Sequence, residues 1–193
     1  MFWPIVLPFQ ITCCVLVIAV VVLTLFAPPK NWNRFKKFVL YSIAGLIAFI
    51  PSCAGIMTAV DAVRFGDFTY PTYSQISDFR SKRYMPESAT DIQMRKHANG
   101  YLARYTLSPH EFDSYLNGLW ETYGEHSAVD RGEFYDEGKT VDPESFNSTF
   151  DGLGWDCPLN AIVYYSPSES DGGGATYYVD SDSKLVFQRT GFW

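Results

Sequence analysis

Four carboxylates lie close together in one stretch of the chain: Glu133, Asp136, Glu137 and Asp151. One protonated and one ionised member of such a set would supply the acid and base of a hydrolytic reaction. The same residues also fit a solvated acidic loop, and no nucleophile motif sits beside them. No Gly-x-Ser-x-Gly elbow occurs, which an acyl-transfer serine of that class would need. Gly172-Gly173-Gly174 is followed by no Gly-Lys-Ser/Thr, so it does not read as a phosphate loop. Asp180-Ser181-Asp182 has too few oxygen ligands for a calcium loop and fits a hairpin turn better.

Metal chemistry has little to draw on. His97, His110 and His126 do not pair at zinc-ligand spacing with one another or with a cysteine. His126, Cys157 and a loop carboxylate are the only set worth naming, and a buried structural Cys157 is the simpler reading. The expectation is no cofactor and no metal. Phe134, Tyr135 and Trp155 bring aromatic surface into the same acidic stretch, and that combination suits recognition of a partner better than turnover. The chain therefore reads as a binding or interaction module of unknown ligand. A small envelope hydrolase using loop carboxylates is the alternative, and an accessory subunit of a membrane complex is a third.

The elements that hold these residues divide into two parts. Residues 1–60 contain no Asp or Glu, and their only charges are Lys30, Arg34, Lys36 and Lys37. From residue 61 onward, 21 acids stand against 11 Lys and Arg, a formal net charge of −10. This acidity argues against nucleic acid as a partner, because phosphate binding needs a basic footprint.

Two apolar runs, about residues 9–27 and 38–60, are each long enough to cross a hydrocarbon core of about 30 Å. Pro4 and Pro8 are expected before the first span, and Pro51 is expected to kink the second. The four cations between the runs should keep loop 28–37 in the cytoplasm, which puts the acidic portion on the other side. No basic region precedes the first run and no small-x-small site ends it, so it reads as a span rather than a cleaved leader. The expected location is the cell membrane, with two spans and a periplasmic or extracellular C-terminal domain. Ala44, Ala48 and Ser52 recur every four residues, and small residues on one face let helices approach closely. They read as the seam against the first helix, or as a small-residue stripe facing lipid. Cys13, Cys14 and Cys53 fall inside the runs, leaving Cys157 without a disulfide partner in the exported part.

Residues 65–90 read as a neck, rich in Phe65, Phe68, Tyr70, Tyr73 and Phe79. These aromatics suit either a membrane interface or a first strand on the core. Arg80, Lys82 and Arg83 add a small basic cluster, which fits a solvated patch or contact with headgroups.

Residues 91–193 read as an α+β domain. Alternation on either side of Asn99-Gly100 predicts a β-hairpin with the turn on those two residues. Ser108-Pro109-His110-Glu111 carries a capping box with Pro at the first helical position. Phe112, Tyr115, Leu116, Leu119, Trp120 and Tyr123 then form a helical stripe, and Gly124 is expected to stop it. Residues 125–158 show no long period, apart from a short helix after Asp142-Pro143 with Phe146 and Phe150 on one face. Three strands should follow near 161–166, 175–180 and 184–189. The expected architecture is a transmembrane hairpin followed by an antiparallel sheet with one main helix packed on one face.

Pro86-x-Ser88-Ala89-x-x-Ile92, a hairpin, an aromatic-striped helix ending near Trp120, and a strand-turn-strand from Tyr177-Tyr178-Val179-Asp180 through Val186 occur in that order. This order resembles uncharacterised bacterial membrane-anchored proteins with a small extracytoplasmic α+β domain. The resemblance covers about a third of the chain through short motifs. It implies an envelope location and this kind of domain, and it carries no activity or site residue.

Overall fold

The computed structural model describes residues 3–27, 31–170 and 172–191. The chain separates into two compact units, 1–64 and 65–193. Lys30, part of the expected cytoplasmic loop, lies outside the described residues.

The first unit is a pair of helices, α1 (Trp3–Phe26) and α2 (Arg34–Arg64). Both are long and apolar enough to cross a membrane. At about 1.5 Å per residue they measure roughly 36 and 46 Å. Both exceed the apolar runs read from sequence. At its start, Asn33 Oδ1 accepts from the Lys36 amide at 2.8 Å, so α2 is capped before its first charged turn. Pro8 lies inside α1 rather than before it, because the helix already begins at Trp3. α2 is helical through Pro51.

The two helices meet through Gly45 and Phe49. A Cβ on Gly45 would stand 3.5 Å from Val20, and the Phe9 and Phe49 rings meet edge to face at 5.3 Å. Ala48 and Ser52 are half-buried, while Ala44, on the same expected stripe, is exposed. Lys37 Nζ donates to the Ala27 carbonyl at 2.6 Å and is 8% exposed. A cation at the C-terminus of α1 satisfies an orphan carbonyl and complements the helix dipole. Thr12 and Thr24 return their hydroxyls to the Pro8 and Val20 carbonyls at 2.7 Å, so neither needs an outside partner.

The second unit is built on one antiparallel sheet of six strands in the order β1-β2-β3-β6-β5-β4. The strands are β1 (Gly66–Thr72), β2 (Thr90–His97), β3 (Gly100–Thr106), β4 (Ile162–Tyr165), β5 (Gly174–Asp180) and β6 (Leu185–Gly191). The hairpin read around Asn99-Gly100 exists, but its turn is Ala98-Asn99, with His97 opposite Gly100. Gly100 opens β3 instead. A Cβ there would fall 1.9 Å from the Thr190 carbonyl oxygen, so the β3–β6 approach demands glycine at this position.

Residues 65–90 are part of this unit rather than a separate neck. β1 pairs along β2 from Gly66↔Lys96 to Thr72↔Thr90. Ile76, Met85 and Ala89 are each no more than 2% exposed. The stretch also holds the short helix α3 (Phe79–Lys82).

The helix α4 (Pro109–Tyr123) has the expected capping box between Ser108 and Glu111. Phe112 and Leu116 bury its stripe on one sheet face with Ile92, Met94, Tyr101, Ala103, Tyr105, Tyr177 and Val186. Gly124 remains right-handed at φ −61° and leads into a tight turn over Gly124–His126, so it does not act as a left-handed stop.

The expectation of one helix on one face is incomplete, because the opposite face is covered as well. The helix α5 (Pro143–Thr149) is capped by Asp142, which accepts from the Ser145 amide at 3.0 Å. Its Phe146, with Phe150 just beyond, packs on Tyr178 and Phe187. Val141, Ala161 and Val163 complete this second core. Val186, Phe187 and Gln188 are buried in succession, as a central strand with two covered faces requires. The 138–141 segment also bonds along β4, with Gly138 N donating to Val163 O and Val163 N to Lys139 O, covering that sheet edge.

Candidate functional site

One polar groove of the second unit starts from a strained residue. Tyr84 has φ 62°, in the left-handed region. That region costs a non-glycine residue about 1–2 kcal/mol. Buried hydrogen bonds hold the turn in place. The Tyr84 carbonyl accepts from the Tyr177 hydroxyl and from Gln188 Nε2, each at 2.8 Å. The neighbouring Arg83 carbonyl accepts from the Tyr101 hydroxyl at 2.6 Å. Gln188 Nε2 also contacts Tyr101 Oη at 2.9 Å and Thr190 Oγ1 at 2.8 Å. Tyr101, Tyr177, Gln188 and Thr190 are all essentially inaccessible to solvent. Leaving one of these buried groups unpaired costs about 1–3 kcal/mol, enough to offset the backbone strain. Burial holds the Tyr101 and Tyr177 phenols well above their ordinary pKa, so both act as neutral donors.

This turn points two side chains at one acid. The Arg83 guanidinium and the Tyr84 hydroxyl both donate to the Glu169 carboxylate. The guanidinium also lies 5.2 Å from the Tyr84 ring centroid. Glu169 is fixed by its own loop. Its amide donates to the Gly173 carbonyl at 2.7 Å, and Gly172 N returns a bond to the Glu169 carbonyl at 2.9 Å. Residues 127 and 128 secure the start of that loop, where Ser127 Oγ accepts from Ser168 N at 3.0 Å and Ala128 N donates to Ser168 O at 2.8 Å. The result is a groove of about 340 Å³ between the end of α4, the 83–84 turn and the 167–169 segment. Leu119, Tyr123, His126 and Pro167 complete its lining.

The three aromatics expected to act together are separated. Trp155 packs into the second core, 5.5 Å from Phe150 and 5.8 Å from Phe187. Phe134 stacks on Tyr165 at 4.1 Å and edges a second groove of about 290 Å³ that also includes Arg189. Tyr135 is 84% exposed.

The loop carboxylates close turns. Glu133 accepts from the Asp130 amide at 3.0 Å, and Glu137 from the Gly132 amide at 2.8 Å. Both oxygens of Asp136 accept from the Tyr165 hydroxyl at 2.9 Å. Burial and the adjacent Asp136 push the Tyr165 phenol above its usual pKa. Asp151 is exposed.

Cys157 is half-buried beside the second core, and burial with Asp142 nearby pushes its thiol up, which lowers its thiolate fraction. Among the described residues, no three of His, Cys, Asp and Glu come together as a metal-holding group.

Sequence reading reached Arg83 as a basic cluster and His126 as a lone histidine. It did not reach Tyr84 or Glu169, which are 85 positions apart and carry no local motif. Compared with protein families, curated proteins and solved structures, the chain matches none.

Proposed function

We propose that this protein is a membrane-anchored binding module. Its helix pair spans the bilayer, and its α+β unit recognises a ligand on the non-cytoplasmic side. The observation that carries the binding role is Tyr84. Its strained backbone is held by two buried side chains, Tyr177 and Gln188, and its ring packs on the core while its hydroxyl reaches Glu169 at the groove, a cost the fold tolerates where it fixes the place of that hydroxyl. Arg83, Tyr84 and Glu169 then present fixed donors and acceptors beside apolar rings, the composition of a recognition site.

The anchoring role is supported by the first unit. Val17, Ile18, Leu46, Ile47 and Ile50 are each more than 60% exposed on helices of spanning length. That apolar surface is costly in water and favourable in lipid. Cations at the bend and in the first turn of α2, with an acidic remainder, support the orientation.

A phosphatase fused after Trp193 should be active in living cells, and a fluorescent protein at the same place should stay dark. Glowing cells with a silent phosphatase would overturn the orientation. Turnover of a glycan or peptide by the purified protein would overturn the binding-only role.

A further inference from the structure

We propose that the groove beside Tyr84 binds a neutral glycan, with Arg83 and Glu169 together reading a vicinal diol. Such a ligand presupposes the extracytoplasmic binding role proposed for the domain.

Three observations select this ligand class. The first is charge. Arg83 and Glu169 form an ion pair, with side chains 50% and 36% exposed. Their charges cancel locally, inside a unit whose overall balance is strongly acidic. An anion meets repulsion from that field, and a cation must displace Arg83 from Glu169.

The second is the pairing of donor and acceptor. Arg83 has five N–H donors and is only partly engaged by Glu169, whose carboxylate has lone pairs beyond the two bonds it accepts. A guanidinium touching a carboxylate therefore offers one donor and one acceptor side by side. Two adjacent hydroxyls meet both at once, one accepting from Arg83 and the other donating to Glu169, and both bonds are charge-assisted.

The third is the apolar wall. Tyr123 is 58% exposed, although its position on α4 continues the buried stripe of Phe112 and Leu116. It stands with Leu119 and Pro167 on the groove. An exposed aromatic ring beside fixed polar groups suits the C–H face of a pyranose, which an aromatic quadrupole attracts. His126 adds a further exposed polar group at the same end of α4. An uncharged peptide offers amides in place of the diol and is the competing class.

The test uses the full chain in lipid nanodiscs, since sugar-headed detergents would compete. The probes are maltotriose, the trimer of N-acetylglucosamine, trigalacturonate and an end-capped neutral tripeptide, each titrated by calorimetry. One of the neutral saccharides should bind with a Kd below about 1 mM. Tyr123→Ala and Glu169→Gln should each weaken it about tenfold. Both variants should keep the parent near-ultraviolet circular dichroism, which separates lost contacts from lost folding. Binding of the tripeptide or of trigalacturonate alone would overturn the glycan assignment, as would neutral-saccharide binding that neither folded variant weakens. Absence of saccharide binding while the phosphatase fusion is active would overturn the glycan assignment and leave the anchored, exported role standing. A silent fusion would overturn that role.

Discussion

The Tyr177 hydroxyl donates to the Tyr84 carbonyl at 2.8 Å, joining two residues 93 positions apart. One belongs to a buried central strand and the other to a strained turn at a groove. Tyr177→Phe keeps the ring and removes this hydroxyl, with its bond to the Tyr84 carbonyl and its interaction with the Tyr115 hydroxyl. Gln188 Nε2 still reaches the same carbonyl, so the expected loss is about 1–2 kcal/mol. Denaturant unfolding of the detergent-solubilised chain, followed by near-ultraviolet circular dichroism, reads this directly. The strain itself is read by comparing Tyr84→Gly with Tyr84→Ile. Both lose the phenol, and the isoleucine variant should be less stable by about 1–2 kcal/mol because only glycine accepts positive φ freely.

Two leucines on α4 separate core from groove. Leu116 is 2% exposed, whereas Leu119 is half-buried on the groove wall. Leu116→Ala should cost about 2–5 kcal/mol and Leu119→Ala clearly less. On the other face, Phe146→Ala should cost about 3–5 kcal/mol, since Phe146 is fully buried among Tyr178, Phe187 and Phe150. A small effect at Phe146 would show that the α5 layer is not part of the cooperative core.

Gly100→Ala should be among the most damaging single-methyl changes in the chain. The added carbon would overlap the Thr190 carbonyl at 1.9 Å, so β3 and β6 must separate at that end. The expected loss is about 3 kcal/mol or more, from lost ladder bonds and overpacking. Gly118→Ala on α4 meets nothing within 4 Å and should be neutral or mildly stabilising.

His97 gives a pH signature. Partial desolvation of a ring that still reaches the surface, and then Arg189, hold its pKa below the ordinary 6.5. The unfolded chain therefore takes up the proton first as pH falls. The stability tied to neutral His97 is intact above about pH 6.5 and is lost progressively as pH drops toward the lowered folded value. His97→Asn should flatten the stability profile between about pH 7 and 5 relative to the parent chain. An unchanged slope would show that this residue does not titrate with folding.

The capping box at Ser108–Glu111 and the stripe beginning at Phe112 were legible because the box spans four residues, the stripe repeats every three or four, and both lie within one helix. The same holds for the strand alternation about Asn99, although the turn sits one residue earlier than the dipeptide suggested. There the deciding contact is Gly100 against Thr190, and no local rule contains it. The second core was only half legible. Phe146 and Phe150 were paired correctly, but their burial required Tyr178 and Phe187 to face away from α4.

Composition and short-range periodicity by themselves determined the two apolar helices, the acidic remainder, the main amphipathic helix and most of the strands. Each depends on the hydrophobic effect acting at a fixed spacing along one segment. Tertiary structure alone decided that 65–90 belongs to the sheet, that both faces are covered, and that Trp155 packs half-buried against the second core while Tyr135 faces solvent. It alone brought Arg83 and Tyr84 to Glu169. The physical reason is sequence distance. Such contacts exist only where the pairing of β3, β5 and β6 brings distant segments together, and hydrogen bonds between residues tens of positions apart leave no periodic trace along the chain.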